Sequence, residues 1–188
     1  SGNSNGIGTN ALLNQPYGVT ISPNSTFAYV ADTDNNNIRK ITISTSEVST
    51  LAGSSQGNVN GIGTNAKFNT PIDLTLSLDS TYLLVSDTSN HLIRKLIISS
   101  LEVTTFVGST EGYADGFGVA AKFSYPTSVD ISSDESFALV TDASNDMIRK
   151  IIISTAQVTT FAGQLTDGNT DGIGTNALFN LPYSISFI

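Results

Sequence analysis

The chain has 188 residues, 8 basic against 16 acidic, a formal net charge of −8 and no cysteine. The acidic balance argues against nucleic acid and anionic membrane surfaces, both of which want clustered Lys and Arg, and the missing cysteines exclude disulfides and thiolate-held metals. No apolar run reaches the length of a membrane span, no charged-then-apolar leader opens the chain, and no membrane insertion is expected.

Taken in order, the chain repeats itself at a period of about 55 residues, the mark of a repeat architecture. Residues 6–60, 61–115 and 116–171 are three copies, and a fourth begins at 172 and runs to 188. Each copy predicts four short strands in the same order. The first opens on proline, where no ladder hydrogen bond is lost, and spans residues 16–21, 71–76, 126–131 and, in the partial copy, 182–187. Val19/Ile21, Leu74/Leu76 and Val129/Ile131 alternate as one buried face does. The second strand, at 27–32, 82–87 and 137–142, is apolar almost throughout, as for a strand covered on both faces. A polar turn leads to the third strand, at 38–43, 93–98 and 148–153. The fourth, at 48–52, 103–107 and 158–162, is closed by Gly53, Gly108 or Gly163. Short connections make an antiparallel meander, and four-stranded meanders in tandem are the blades of a β-propeller. The expected fold is therefore all-β: three complete blades and the first strand of a fourth, within a six-bladed or larger assembly.

The connection between blades, 57–68 and its copies 112–123 and 168–179, is rich in glycine. Within it Ala66 (Ala11, Ala121, Ala177) and Phe68 (Leu13, Phe123, Phe179) suit an anchor tucked between blades. No helix follows the glycines and the lysine is misplaced for a phosphate-binding loop.

Together these residues resemble the longer class of NHL repeat. In the third copy the pattern stands as Asp115-Gly116-Phe117-Gly118, Ala121-Lys122-Phe123, Pro126, Asp142, Asn145, Ile148-Arg149-Lys150-Ile151 and Val158-Thr159-Thr160-Phe161-Ala162-Gly163. The resemblance covers essentially the whole chain. It implies blades of a propeller, often six-bladed, used mostly as a binding platform, with a minority of related propellers acting as enzymes such as the peptide-amidating lyase and strictosidine-synthase-like groups. Those enzymes gather His, Glu or Asp around a metal at the central channel. Here the single histidine, His91, lies in a turn without complement, and no pattern calls for a cofactor or metal.

All eight basic residues fall at three repeat positions, Arg39/Arg94/Arg149, Lys40/Lys95/Lys150 and Lys67/Lys122, which suits structure better than a single reactive site. Each arginine lies across a short hairpin from Asp32, Asp87 or Asp142, and a charge-assisted pair within every blade is expected. The run from Asp32 to Asn36 has calcium-loop spacing, but its copies are ordinary Asx-turn residues. No Ser-His-Asp set or nucleophile elbow is present, and Asp134 and Glu135, adjacent in a turn, point apart. Asn24 heads an N-glycosylation sequon in an exposed turn. The second-to-third strand turns vary between copies on a rigid scaffold, which makes Asp34, Asn35, Asn36, Asn37, Ser89, Asn90, His91, Ser144, Asn145 and Asp146 the candidate partner-binding loops.

Three blades do not close a ring, and 188 falls inside an apolar strand, so further blades of a longer chain, two copies in one ring, or an end-to-end filament are expected. The functional expectation is a non-enzymatic module, outside cells, with a protein or glycan partner or other blades as ligand. The alternatives are a structural subunit of a filament or matrix, and a piece of a propeller lyase or hydrolase whose catalytic residues lie elsewhere.

Overall fold

The computed structural model describes residues 1–187; Ile188, the last residue of the partial fourth repeat, lies outside them. The first blade consists of β1 (Gly6–Ile7), β2 (Pro16–Ile21), β3 (Phe27–Asp32), β4 (Asn37–Thr42) and β5 (Glu47–Gly53). The second holds β6 (Gly61–Ile62), β7 (Pro71–Leu76), β8 (Tyr82–Asp87), β9 (Leu92–Ile97) and β10 (Glu102–Gly108). The third holds β11 (Gly116–Phe117), β12 (Pro126–Ile131), β13 (Phe137–Asp142), β14 (Met147–Ile152) and β15 (Gln157–Gly163). Every sheet is antiparallel, with its strands in the order β1-β5-β4-β3-β2 or the equivalent. The third strands start one residue earlier than the hydrophobic pattern suggested, because Asn37, Leu92 and Met147 pair with both neighbouring strands.

The sheets have five strands where the sequence suggested four. The fifth comes from the glycine-rich connection, which meets the outer edge of the next blade before crossing to its inner strand: Gly61 pairs with Val103 and Ile62 with Glu102. Covering part of the outer strand in this way removes hydrogen-bonding groups that would otherwise invite edge-to-edge association. A 3-10 turn at Gly63–Asn65 then reverses the connection, with the Ala66 N–H donating to Gly63 O at 3.2 Å.

The hydrophobic core lies between blades. At the first junction Tyr29, Ala31, Ile38, Leu51 and Ala52 meet Leu74, Leu83, Val85, Leu96 and Val103, with Ala66 and Phe68 wedged among them. The second junction repeats this with Ala121 and Phe123 as the wedge. The second strand is apolar over most of its length because consecutive residues enter different cores: Leu83 and Val85 face the first blade, and Leu84 faces the third. Gly53 ends β5 at φ +88°, and a Cβ there would stand 2.6 Å from Asn36 O and 2.9 Å from the Phe68 ring. Only glycine leaves room for the wedge.

Residues 182–187 run beside the third blade but form no strand, so the first strand expected for a fourth blade is not formed. They are held through side chains: Thr127 Oγ1 donates to Tyr183 O at 2.8 Å and the Phe187 N–H to Asp130 Oδ2 at 2.8 Å. Among the described residues no helix is long and apolar enough to cross a membrane.

Candidate functional site

The most polar interior of the molecule is one cluster built three times. In the second blade Asp87, at the end of β8, receives the Asn69 N–H at 2.7 Å on Oδ1, and Asn90 Nδ2 at 2.9 Å and Arg94 Nη1 at 2.8 Å on Oδ2. Arg94 also donates to Lys67 O, Val59 O and Asn60 Oδ1, so the guanidinium grips both passes of the connection that crosses its blade. The first blade repeats this with Asp32, Asn35 and Arg39, and the third with Asp142, Asn145 and Arg149. Asp and Arg side chains in these pairs are fully buried. Burial pushes the Asp87 and Asp142 carboxyls up, and the Asn, backbone and Arg donors pull them back down. The Arg94 and Arg149 guanidiniums lie 5.4 and 5.3 Å from the rings of Phe68 and Phe123, and the Nε of each has no hydrogen-bond acceptor. The third copy adds an ion pair of 2.7 Å from Arg149 to Asp115, which replaces the Asn60 of the second.

The lysines are placed as regularly. Lys40, Lys95 and Lys150 stand 3.7, 4.0 and 4.2 Å from the ring centres of Phe27, Tyr82 and Phe137, close enough for a cation–π contact. On the opposite end of the blades Asn24, Asp79 and Asp134 each close the turn between first and second strands. The Asn24 of the sequon thus sits where the other copies carry a carboxylate. Donors from Ser132 and Ser136 lower the exposed Asp134 carboxyl to about 2. Its neighbour Glu135 reaches away to accept the Leu78 N–H of the second blade at 2.7 Å.

The candidate partner-binding loops prove to be largely occupied within the molecule. Asn35, Asn90 and Asn145 belong to the buried clusters, each also donating to a carbonyl of the connection. Asn37 is 1% exposed and donates to Asn3 Oδ1. Asn36, His91 and Asp146 adopt left-handed backbone and accept the N–H of Thr70, Tyr125 and Leu181 at 2.9, 3.2 and 2.7 Å, joining each blade to the next. Their copy-to-copy variation exchanges one acceptor for another. Asp34 and Ser144 stay exposed and Ser89 half-buried.

His91 makes one of these joints sensitive to pH. Its Nδ1 must be unprotonated to accept from Tyr125, whose ring packs edge-on at 4.7 Å, and burial lowers the His91 pKa against the opposing pull of Glu111 and Asp142. A group whose folded pKa lies below its unfolded value contributes its full stability above the unfolded pKa and loses it as pH falls through the folded one. Melting temperature is therefore expected to drop as pH falls below about 6.5, the ordinary histidine pKa, and His91→Asn, the residue type of the first blade, is expected to remove that component. Thermal melts of both proteins across this range check it; equal slopes refute it.

The positions that break the repeat lie on the inner strands, and sequence reasoning passed over them. One row reads Gly18, Asp73, Ser128, Ser184 and the next Thr20, Thr75, Asp130, Ser186. The carboxylate that appears in only one copy of each row was the available signal. Asp73 Oδ2 accepts Ser128 Oγ at 2.6 Å and the Val129 N–H at 3.3 Å, and Asp130 Oδ1 accepts Thr75 Oγ1 at 2.8 Å. Burial pushes the Asp73 carboxyl up, with Ser128 and backbone donors opposing it. A cavity of about 180 Å³ opens here, lined by Tyr17, Gly18, Ile72, Asp73, Thr127 and Ser128 with Tyr183 and Ser184. Among the described residues no three His, Asp or Glu side chains converge as metal ligands would.

No family model matches the chain. NHL repeat-containing protein 2 of Bos taurus is 35% identical over 126 residues, which cover 64% of this chain and 17% of that protein. The chain thus spans less than a fifth of that relative's length. A Bacteroides thetaiotaomicron protein of unknown function superposes with a TM-score of 0.75 at 24% identity, covering 93% of this chain and 42% of the other. A virginiamycin B lyase from Staphylococcus aureus does so at 0.56 and 21% identity, covering 80% and 43%. The glycines, buried Asp–Arg pair and aromatic wedge at fixed places in successive blades, together with the similarity to a named NHL-repeat protein, support an NHL-repeat β-propeller family for this chain.

Proposed function

We propose that this chain is a non-catalytic interaction module that presents one end of its blades to a partner. The end in question carries the second-to-third strand turns, the connections between blades and the starts of the inner strands. The observation that carries the reading is the division of chemistry: the repeated ionic and amide groups are spent inside the blades, while exposed Asp34, Ser144, Tyr17 and Tyr183 remain on that end. A rigid scaffold with exposed, copy-specific residues at one end is how recognition surfaces are usually built. The lyase among the fold neighbours, at 21% identity, shares the fold alone. The proposed setting is outside cells, which fits the Ser-, Thr- and Asn-rich surface and the exposed Asn24 sequon. Association with further blades or other copies is also proposed, through the face of the first blade where Val19 and Ile21 are 60 and 56% exposed.

The test compares two sets of substitutions in the whole protein. Asp34→Arg, Ser89→Arg and Ser144→Arg alter the proposed end; Ser44→Arg, Ser99→Arg and Ser154→Arg alter exposed repeat positions at the other. Partner capture is expected to fail for the first set and persist for the second. Loss with the second set alone, or retention with both, refutes the reading.

A further inference from the structure

The cavity at the starts of the inner strands has features that the repeat does not require. Asp73 is the one carboxylate in its row, and the residue before it in that row is Gly18. A Cβ at position 18 would stand 2.5 Å from Asp73 Oδ1 and 2.7 Å from Asp73 Cα, so glycine is what lets the carboxylate stand between the first and third blades. Ser128 and Val129 hold Oδ2, fixing the carboxylate while Oδ1 is turned toward Gly18. Tyr17 and Tyr183, 54 and 53% exposed, line the same cavity from the first blade and the fourth repeat. Burial raises the Tyr183 pKa, and the charges of Tyr17 and Asp73 act in the same direction.

The charge around the cavity is uncompensated. Asp130 lies in the adjoining row, and no Lys or Arg lines the space. The three arginines are committed inside the blades, and Lys40, Lys95 and Lys150 lie over aromatic rings. A fixed carboxylate with aromatic neighbours is the combination that recognises an organic cation, through charge and through the negative ring faces. The volume, about 180 Å³, admits the end of one side chain rather than a folded segment.

We propose that this cavity binds a single cationic group, the ammonium or guanidinium of a partner's Lys or Arg side chain, with Asp73 as its counter-ion and Tyr17 and Tyr183 as its walls. This deepens the interaction-module reading and rests on it. Asp73 sets the charge, Gly18 the space, and the tyrosines the preference for an organic cation over a hydrated metal ion.

The test titrates the full chain with Nα-acetyl-lysine methylamide and with the neutral Nα-acetyl-norleucine methylamide, following the amide resonance of Val129 and the ring resonances of Tyr17 and Tyr183. The lysine probe is expected to shift them and the norleucine probe to leave them in place. Asp73→Ser, the residue type of the third and fourth copies, is expected to weaken lysine binding about two- to fivefold, in line with a charge pair at a partly exposed site. Tyr183→Leu serves as a second variant and is also expected to weaken it. Equal response to the two probes, no response, or unchanged binding in both variants overturns the proposal. Stronger shifts with calcium chloride than with the lysine probe overturn it in favour of a metal site. These outcomes leave partner capture by the blade ends untouched, so the two readings fail separately.

Discussion

Arg94→Ala is expected to lower the unfolding free energy by about 3–5 kcal/mol, the cost of leaving a buried partner charge uncompensated. The guanidinium is fully buried against Asp87 at 2.8 Å, and Lys67 O, Val59 O and Asn60 Oδ1 each lose one of their donors with it. The Asp87 carboxylate would then have only the Asn69 N–H and Asn90 Nδ2 within an apolar surround. Urea unfolding at neutral pH measures the loss. The double variant Asp87→Asn/Arg94→Met is expected to cost less than Arg94→Ala alone, because no isolated charge remains inside. If the single variant loses under about 1 kcal/mol, the range of an exposed pair, the cluster is not what holds the connection to its blade.

Phe123→Ala tests the second junction, and a loss of about 3–5 kcal/mol is expected from burial forfeited and cavity left behind. Phe123 is 0% exposed and lies in the core formed by Tyr82, Leu84, Ile93 and Val107 against Val129, Val140 and Ile151. The described apolar contact between the second and third blades runs through this core, and repeat arrays gain their stability from such nearest-neighbour terms. The variant should therefore also broaden or split the urea transition as the third blade loses its coupling to the second. A single transition of unchanged steepness, with less than about 1 kcal/mol lost, would show that the wedge fills space without joining blades.

The blade itself was legible in the residues. Alternation in the first strand, the apolar second strand and the closing glycine each follow from local rules of pleat and turn, and in the three complete blades the structure places those strands within a residue of the pattern. The repeat also exposed Ala66 and Phe68 as an anchor, because two apolar residues recur inside a polar connection. Less legible was what the varying turn residues do. Asn36, His91 and Asp146 differ in charge and ring chemistry, and copy-to-copy variation of that kind resembles a recognition surface. Their common role as acceptors for the next blade's N–H emerges only when residues 34 or 35 positions apart are brought together. The two-residue outer strand was hidden for a similar reason: Gly61-Ile62 has no periodicity of its own and becomes a strand through Val103.

Sequence alone determined the period, the strand order and the pairing of Asp with Arg across a hairpin, since all three depend on contacts within one repeat. Tertiary structure decided what the contacts between repeats are: which core each face of the second strand enters, which acceptor joins each blade, and where Asp73 comes to rest. The physical reason is range. Pleat, turn and hairpin bonding act over a few residues and leave a periodic trace. The carboxylate between Gly18 and Ser128 depends on residues 55 positions to either side, and no local pattern records that they meet.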